Sequence, residues 1–227
     1  MIDFDFGWKV YQQNVGILGM QGEGKTSRVK KILDKIPDVA RLIWSPQLPE
    51  ENYGEYGEPI DKVSDILNDS AQIWIGDFSV STHERVCKTM MARCKDLAYV
   101  CDDAHEVCSK QRMPPEFSRL IQSGRNRGLC GIYITPSPNL LNNEILQSCK
   151  HIFAYRMQME NQIEWIKKNY FGHDAEILLP SDRRDANLSK FSDAIRPYAE
   201  EYDILPEYSF LYRYFRDREN ELVLGDQ

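Results

Sequence analysis

At 227 residues, with 42% apolar and 11% aromatic residues, the chain can build one sizeable core and is too apolar for a disordered protein. A formal charge of −7 and a sequence pI near 5.2 argue against a surface that wraps nucleic acid through a broad basic face, leaving a local basic strip or a pore lined by several subunits. No apolar run approaches the roughly 20 residues of a membrane helix, and the acidic start Met1-Ile2-Asp3-Phe4-Asp5 is not a signal peptide, so the expectation is a soluble intracellular protein.

Residues 1–13 read as an N-terminal arm. Val15 to Leu18 is a short apolar strand, and the following helix, Thr26 to Ile36, carries Val29, Ile32, Leu33 and Ile36 on one face until Pro37 ends it. Ala40 to Trp44 is the next strand. Gln47 to Pro59 has no periodicity and is expected to be an exposed loop without a legible function. After the strand Gln72 to Ile75, Ser81-x-x-Glu84 offers a capping box for a helix running to about Lys95. Leu97 to Cys101 is a strand. Pro114 and Pro115 start a helix that turns Phe117, Leu120 and Ile121 inward and stops at Gly124. Gly131 to Thr135 and His151 to Arg156 complete the strands, with Asn142 and Glu160 opening two more helices.

This alternation over residues 14–179 predicts one α/β core, a mostly parallel sheet with helices on both faces. Residues 180–227 form a C-terminal extension that packs on the core or on a neighbouring subunit: a charged stretch, a short amphipathic helix over Leu188 to Ile195, and a hairpin of Tyr208 to Phe215 and Glu221 to Leu224 around Arg216 to Asn220.

Cys87, Cys94, Cys101 and Cys108 stand seven apart, which is not a zinc spacing. Their predicted elements make them small buried hydrophobes, so neither a cysteine-bound metal nor a disulfide is expected.

Gly19 through Thr26 reads G-M-Q-G-E-G-K-T, the pattern G-x-x-x-x-G-K-[ST] placed between a strand and a helix. The glycines allow backbone angles and a close approach that aim successive amide N–H groups at phosphates, and the helix adds its positive end. Gly19, Met20, Gln21, Gly22, Glu23, Gly24, Lys25, Thr26 and Ser27 are therefore the candidate ATP-holding segment. Lys25 would reach the β and γ phosphates, and the Thr26 hydroxyl would ligate Mg²⁺. Such a site also needs a carboxylate at a second strand tip to hold Mg²⁺ and another to orient the attacking water. Asp102 and Asp103 are assigned those two roles, with Glu106 the weaker candidate base. His105 reads as a hydrogen-bonding residue at a helix start, and Ser109-Lys110-Gln111-Arg112-Met113 as surface charge with DNA contact the alternative.

Asp102-Asp103-Ala104-His105-Glu106 resembles the D-E-A-H strand end of the FtsK/HerA superfamily of DNA-pumping ATPases. Gly124-Arg125-Asn126-Arg127-Gly128, the strand Leu129 to Thr135, and Pro136-Ser137-Pro138-Asn139-Leu140-Leu141 are similar to that family's R-x-x-G, strand, T-Q-x-P-x-x-L run, and Cys149 to Arg156 resembles its next strand. The likeness spans about residues 14 to 172. It implies a RecA-like P-loop fold, a hexameric ring, and Arg125 as a finger on the neighbouring subunit's γ-phosphate, with Arg127 the alternative. Two departures stand out: Asp103 replaces Glu, and Pro136 replaces the sensor Gln, leaving Thr135 to sense the phosphate alone, or another residue to do so in its place.

The small size resembles the genome-packaging ATPases of internal-membrane viruses such as tectiviruses. The resemblance thus implies an ATP-driven double-stranded DNA translocase that fills a preformed capsid, working in the host cytoplasm and at the virion vertex with portal, capsid or internal-membrane proteins. A plasmid, conjugative or phage-assembly DNA pump is the second reading. A P-loop nucleotide kinase or nucleotide switch without DNA contact is the third.

Overall fold

The computed structural model describes residues 13–157, 159–214 and 220–225, so nearly all of the N-terminal arm and the hairpin tip at 215–219 lie outside the described residues. The elements follow as β1 (Asn14–Leu18), α1 (Lys25–Asp34), β2 (Arg41–Trp44), α2 (Pro49–Tyr53), β3 (Glu58–Ile60), β4 (Ala71–Trp74), α3 (Val80–Arg93), β5 (Ala98–Cys101), α4 (Ala104–Val107), α5 (Pro115–Ser123), β6 (Cys130–Thr135), α6 (Asn143–Ser148), β7 (Cys149–Tyr155), α7 (Glu160–Ile166), α8 (Arg196–Glu201), β8 (Phe210–Tyr214) and β9 (Asn220–Val223).

They build one sheet in the order β3-β4-β2-β5-β6-β1-β7-β8-β9. The strands from β3 to β7 in that order are parallel, while β8 runs antiparallel to β7, and β9 antiparallel to β8. Parallel strands are covered on both faces, which is why the central ones are short runs of buried residues with little polar alternation. The two-residue period then sorts side chains between two cores. Leu42, Trp44, Tyr99, Cys101, Tyr133 and Ile152 face one side, where α3, α5, α6 and α7 lie. Ile43, Val100, Ile132, Ile134 and Phe153 face the other, where α1 brings Val29, Ile32 and Leu33. Each such aliphatic side chain contributes about 1.5–3 kcal/mol through burial.

All six cysteines are buried thiols. Cys87 and Cys101 place their sulfurs 3.8 and 3.9 Å from the ring of buried His83, inside the core that Trp44 and Phe117 share.

Three local expectations are corrected. The cap of α3 is Ser79 rather than Ser81: its extended backbone lets the hydroxyl accept from the Thr82 N–H at 3.3 Å, and Asp77 supports it by accepting from the Ser79 N–H and the Thr82 hydroxyl. Gln47 to Pro59 is not simply a loop. It contains α2, started by Pro49, and part of the edge strand β3, whose exposed Glu58 and Pro59 conceal any strand pattern. In the extension, Leu188 to Lys190 is only a single 3₁₀ turn, and the helix forms later, at α8, where Pro197 suits a first turn.

Candidate functional site

The C-terminal ends of β1, β5, β6 and β7 lie along one edge of the sheet, the usual place for a ligand in an open parallel fold. The loop leaving β1 is pinned there by two backbone bonds, Gly19 N–H to the Thr135 carbonyl at 3.3 Å and Met20 N–H to the Arg156 carbonyl at 3.0 Å. Gly19 has φ 140°, and a Cβ there would stand 2.6 Å from the Tyr155 Cβ, so both conformation and space require glycine. Gly24, at φ 83°, is the N-cap of α1 and offers no side-chain acceptor to the first amides of the helix. Those donors are left for an anion, and no acidic side chain in the first turn opposes one.

Lys25 folds back along the loop and donates to the Met20 carbonyl at 2.7 Å. Burial pushes its pKa below the ordinary value, against the opposing pull of Asp102, Asp103 and Glu23. Gln21, Gly22 and Ser27 are exposed, and Thr26 is half-buried. Glu23, by contrast, is 4% exposed and grips Arg156 with two bonds, from Nε at 2.9 Å and Nη2 at 2.7 Å. The strand-end arginine of β7 is thereby committed to shaping the loop.

β5 delivers the two carboxylates. Asp102 accepts the Asp103 N–H at 3.0 Å on Oδ1, while Oδ2 accepts the Tyr53 hydroxyl at 3.1 Å and the Ser45 hydroxyl at 3.4 Å. Tyr53 is fully buried on α2, and its phenol also interacts with Thr26. Asp103 holds a left-handed backbone, φ 50° and ψ 43°, as the N-cap of α4. Burial raises the pKa of Asp102, assisted by the charge of Asp103, and burial likewise raises that of Asp103. A nearby cation would favour the charged form of both.

Among the described residues there is no cluster of three or more His, Cys, Asp or Glu able to cage a metal. A hydroxyl and a single carboxylate nevertheless suit Mg²⁺, which takes one or two protein ligands and completes its shell with phosphate oxygens and water.

Thr135, at the tip of β6, is fully buried; its Oγ1 lies 3.3 Å from His105 Nδ1 and accepts the Ser137 N–H at 3.1 Å. Beside it, the amide of buried Gln162 donates to the Pro136 carbonyl at 3.3 Å. Glu106 is exposed, yet close enough to Asp103 for its charge to help raise that carboxyl's pKa.

Arg125 is not part of the gathering. It is exposed on the turn before β6, at the opposite end of that strand from Thr135, about 20 Å away for six extended residues. Arg127 is spent within its own subunit, donating to the Cys94 carbonyl at 3.1 Å and the Ala92 carbonyl at 3.5 Å at the end of α3.

Sequence reasoning missed Tyr53, Ser45 and the Glu23–Arg156 clamp. Tyr53 belongs to a segment without periodicity, Ser45 is a single polar residue just past a strand end, and the clamp joins residues 133 positions apart.

This strand order, with the glycine-rich loop between β1 and α1 and acids at the tip of β5, is the fold of a P-loop NTPase. The chain is similar over 96% of its length to the genome packaging NTPase B204 from Sulfolobus turreted icosahedral virus 2 in complex with ATP-γS, at 17% identity, TM-score 0.73, covering 99% of that chain. B204, the DNA-packaging ATPase from Sulfolobus turreted icosahedral virus, matches with TM-score 0.72 and 16% identity over 95% of this chain and 98% of that one. The pCW3 conjugation coupling protein TcpA, solved as a monomer with ATP-γS, shares 13% identity and a TM-score of 0.52 over 95% of this chain and 60% of that one. No protein-family model and no curated protein matches the sequence.

Proposed function

We propose that this chain is an ATPase that drives double-stranded DNA into a preformed viral capsid. The observation that carries the reading is the convergence, on one sheet edge, of the glycine loop, Lys25, Thr26, Asp102, Asp103 and Thr135. Whole-chain similarity to two solved packaging ATPases supports the choice of substrate and task.

In this mechanism the loop amides and the start of α1 hold the phosphates, and Lys25 releases Met20 to meet the β and γ phosphates. Thr26 and Asp102 would hold Mg²⁺, which supplies charge neutralisation on the phosphates when bound. Asp103 orients the attacking water and takes its proton, its raised pKa bringing it closer to neutral pH. Thr135, linked to His105, reports the γ-phosphate to the turn that follows β5. Arg125 serves a neighbouring copy: its distance from its own loop makes it useful only across a subunit boundary of a ring, which we take to be hexameric. The acidic net charge then requires that basic loops, Lys110 and Arg112 among them, converge on the DNA path. Capsid, portal or internal-membrane proteins would anchor the ring; no helix among the described residues is long and apolar enough to cross a membrane.

The test is displacement of a triplex-forming oligonucleotide from linear double-stranded DNA. Displacement that requires hydrolysable ATP supports translocation; ATP turnover without displacement, in the assembled protein, removes it.

A further inference from the structure

Tyr208 stands out on three counts. Its backbone lies at φ 62°, a left-handed conformation that a tyrosine rarely adopts. Its side chain is 51% exposed although the residues after it, Ser209 and Phe210, are buried. And its ring lies against the phosphate loop: a Cβ on Gly24 would stand 2.9 Å from the ring Cδ1 and 3.6 Å from Cε1.

The fold fixes this placement. β8 runs antiparallel to β7, with Phe210 opposite Tyr155, so the chain just before β8 arrives at the same edge as the loop. The turn is held by the Ser209 N–H on the Pro206 carbonyl at 3.3 Å and by the Gly225 N–H on the Ser209 hydroxyl at 2.9 Å. Arg28 of α1 lies 4.2 Å over the Phe210 ring, joining the two elements. An exposed aromatic in a left-handed backbone, held firmly against the phosphate loop, is placed to meet a ligand.

The orientation of a bound nucleotide identifies which part of it arrives there. Asp102 and Asp103, just past the tip of β5, and Thr135 on β6 mark the γ-phosphate end, on one side of β1. The sugar and base must therefore leave on the other side, toward β7 and β8, where Tyr208 stands. We infer that the Tyr208 ring is the stacking platform for the base of the bound nucleoside triphosphate. This rests on the phosphate-loop reading above and deepens it. An aromatic face accepts any base through its π surface, so the platform supplies affinity rather than base discrimination.

Calorimetric titrations with ATP and with inorganic tripolyphosphate, both with Mg²⁺, separate the two ends of the ligand. Tyr208→Ala is expected to weaken ATP about tenfold or more and leave tripolyphosphate unchanged, while Tyr208→Trp keeps ATP affinity. Tyr208→Gly relieves the left-handed backbone, so its melting temperature should hold or rise while ATP weakens as in the alanine variant, which separates binding from folding. Equal weakening of both ligands would show that the ring only props the loop and would overturn the inference, as would unchanged ATP affinity. Lys25→Ala distinguishes the two levels: loss of both ligands there, with Tyr208→Ala binding ATP normally, sinks the base platform alone, whereas tripolyphosphate binding untouched by Lys25→Ala removes the phosphate-loop reading and the platform with it.

Discussion

The hydroxyl of Tyr53 donates to Oδ2 of Asp102 across 3.1 Å, so a buried residue from α2 holds the acidic tip of β5. A partner of this kind fixes the orientation of a metal-binding carboxylate, and its loss typically costs about 10–100-fold in metal affinity. Tyr53→Phe keeps the buried ring and removes only the hydroxyl. A Mg²⁺ titration of ATP turnover should then need about tenfold more metal for half-maximal rate, with the melting temperature little changed; an unaltered titration would leave Tyr53 as packing alone.

The Glu23–Arg156 clamp makes a stability prediction. Arg156→Met strands a nearly buried carboxylate and should cost about 2–4 kcal/mol in denaturant unfolding. Combining it with Glu23→Gln removes the stranded charge, and most of that loss should return. If the double variant is as unstable as the single one, the pair does not shape the loop in the way its geometry indicates.

His83 predicts an acid sensitivity. Burial pushes its pKa down to about 3, whereas in the unfolded chain it titrates near 6.5. Between those values the unfolded chain holds the extra proton, so the stability contribution is complete above about pH 6.5 and is lost as pH falls, by about 1.4 kcal/mol per unit. Buried His151, pushed down to about 4, adds to the same slope. Unfolding free energies of His83→Gln between pH 7 and pH 4.5 should show a shallower decline than wild type; parallel curves would contradict a neutral buried His83.

Arg125 lies too far from its own phosphate loop to act on it. On the proposed ring, Arg125→Ala should therefore bind ATP normally yet lose turnover in the assembled state, and mixing it with wild-type protein should lower the rate more than in proportion to its fraction. Strictly proportional loss would place the finger elsewhere.

Much of the architecture was legible because its elements are short apolar runs separated by amphipathic helices. The strands from Val15 to His151, apart from β3, lie where apolar residues cluster, and the hairpin shows as two aromatic or aliphatic runs. What escaped detection lacks such a pattern. β3 is a proline-containing edge strand, so its residues show no buried face. α2 is five residues long, with a single buried side chain, Tyr53, too short for any period to appear. The cap of α3 falls at Ser79 rather than Ser81, two residues that offer the same chemistry and that only backbone angles distinguish. Within the site, the glycine loop and the aspartate pair were readable as local strings. Tyr53, Arg156 and Tyr208 reach the same edge through the sheet order, which brings together segments far apart in the chain, and no local pattern announces that.

The central claim, a motor that spends ATP on DNA, is tested most directly by steady-state ATP hydrolysis of the purified protein with and without long double-stranded DNA, with Lys25→Ala as the blank. Turnover that rises on DNA and disappears in Lys25→Ala is the predicted result. Turnover that is indifferent to DNA in an assembled ring, or that survives Lys25→Ala, would contradict it.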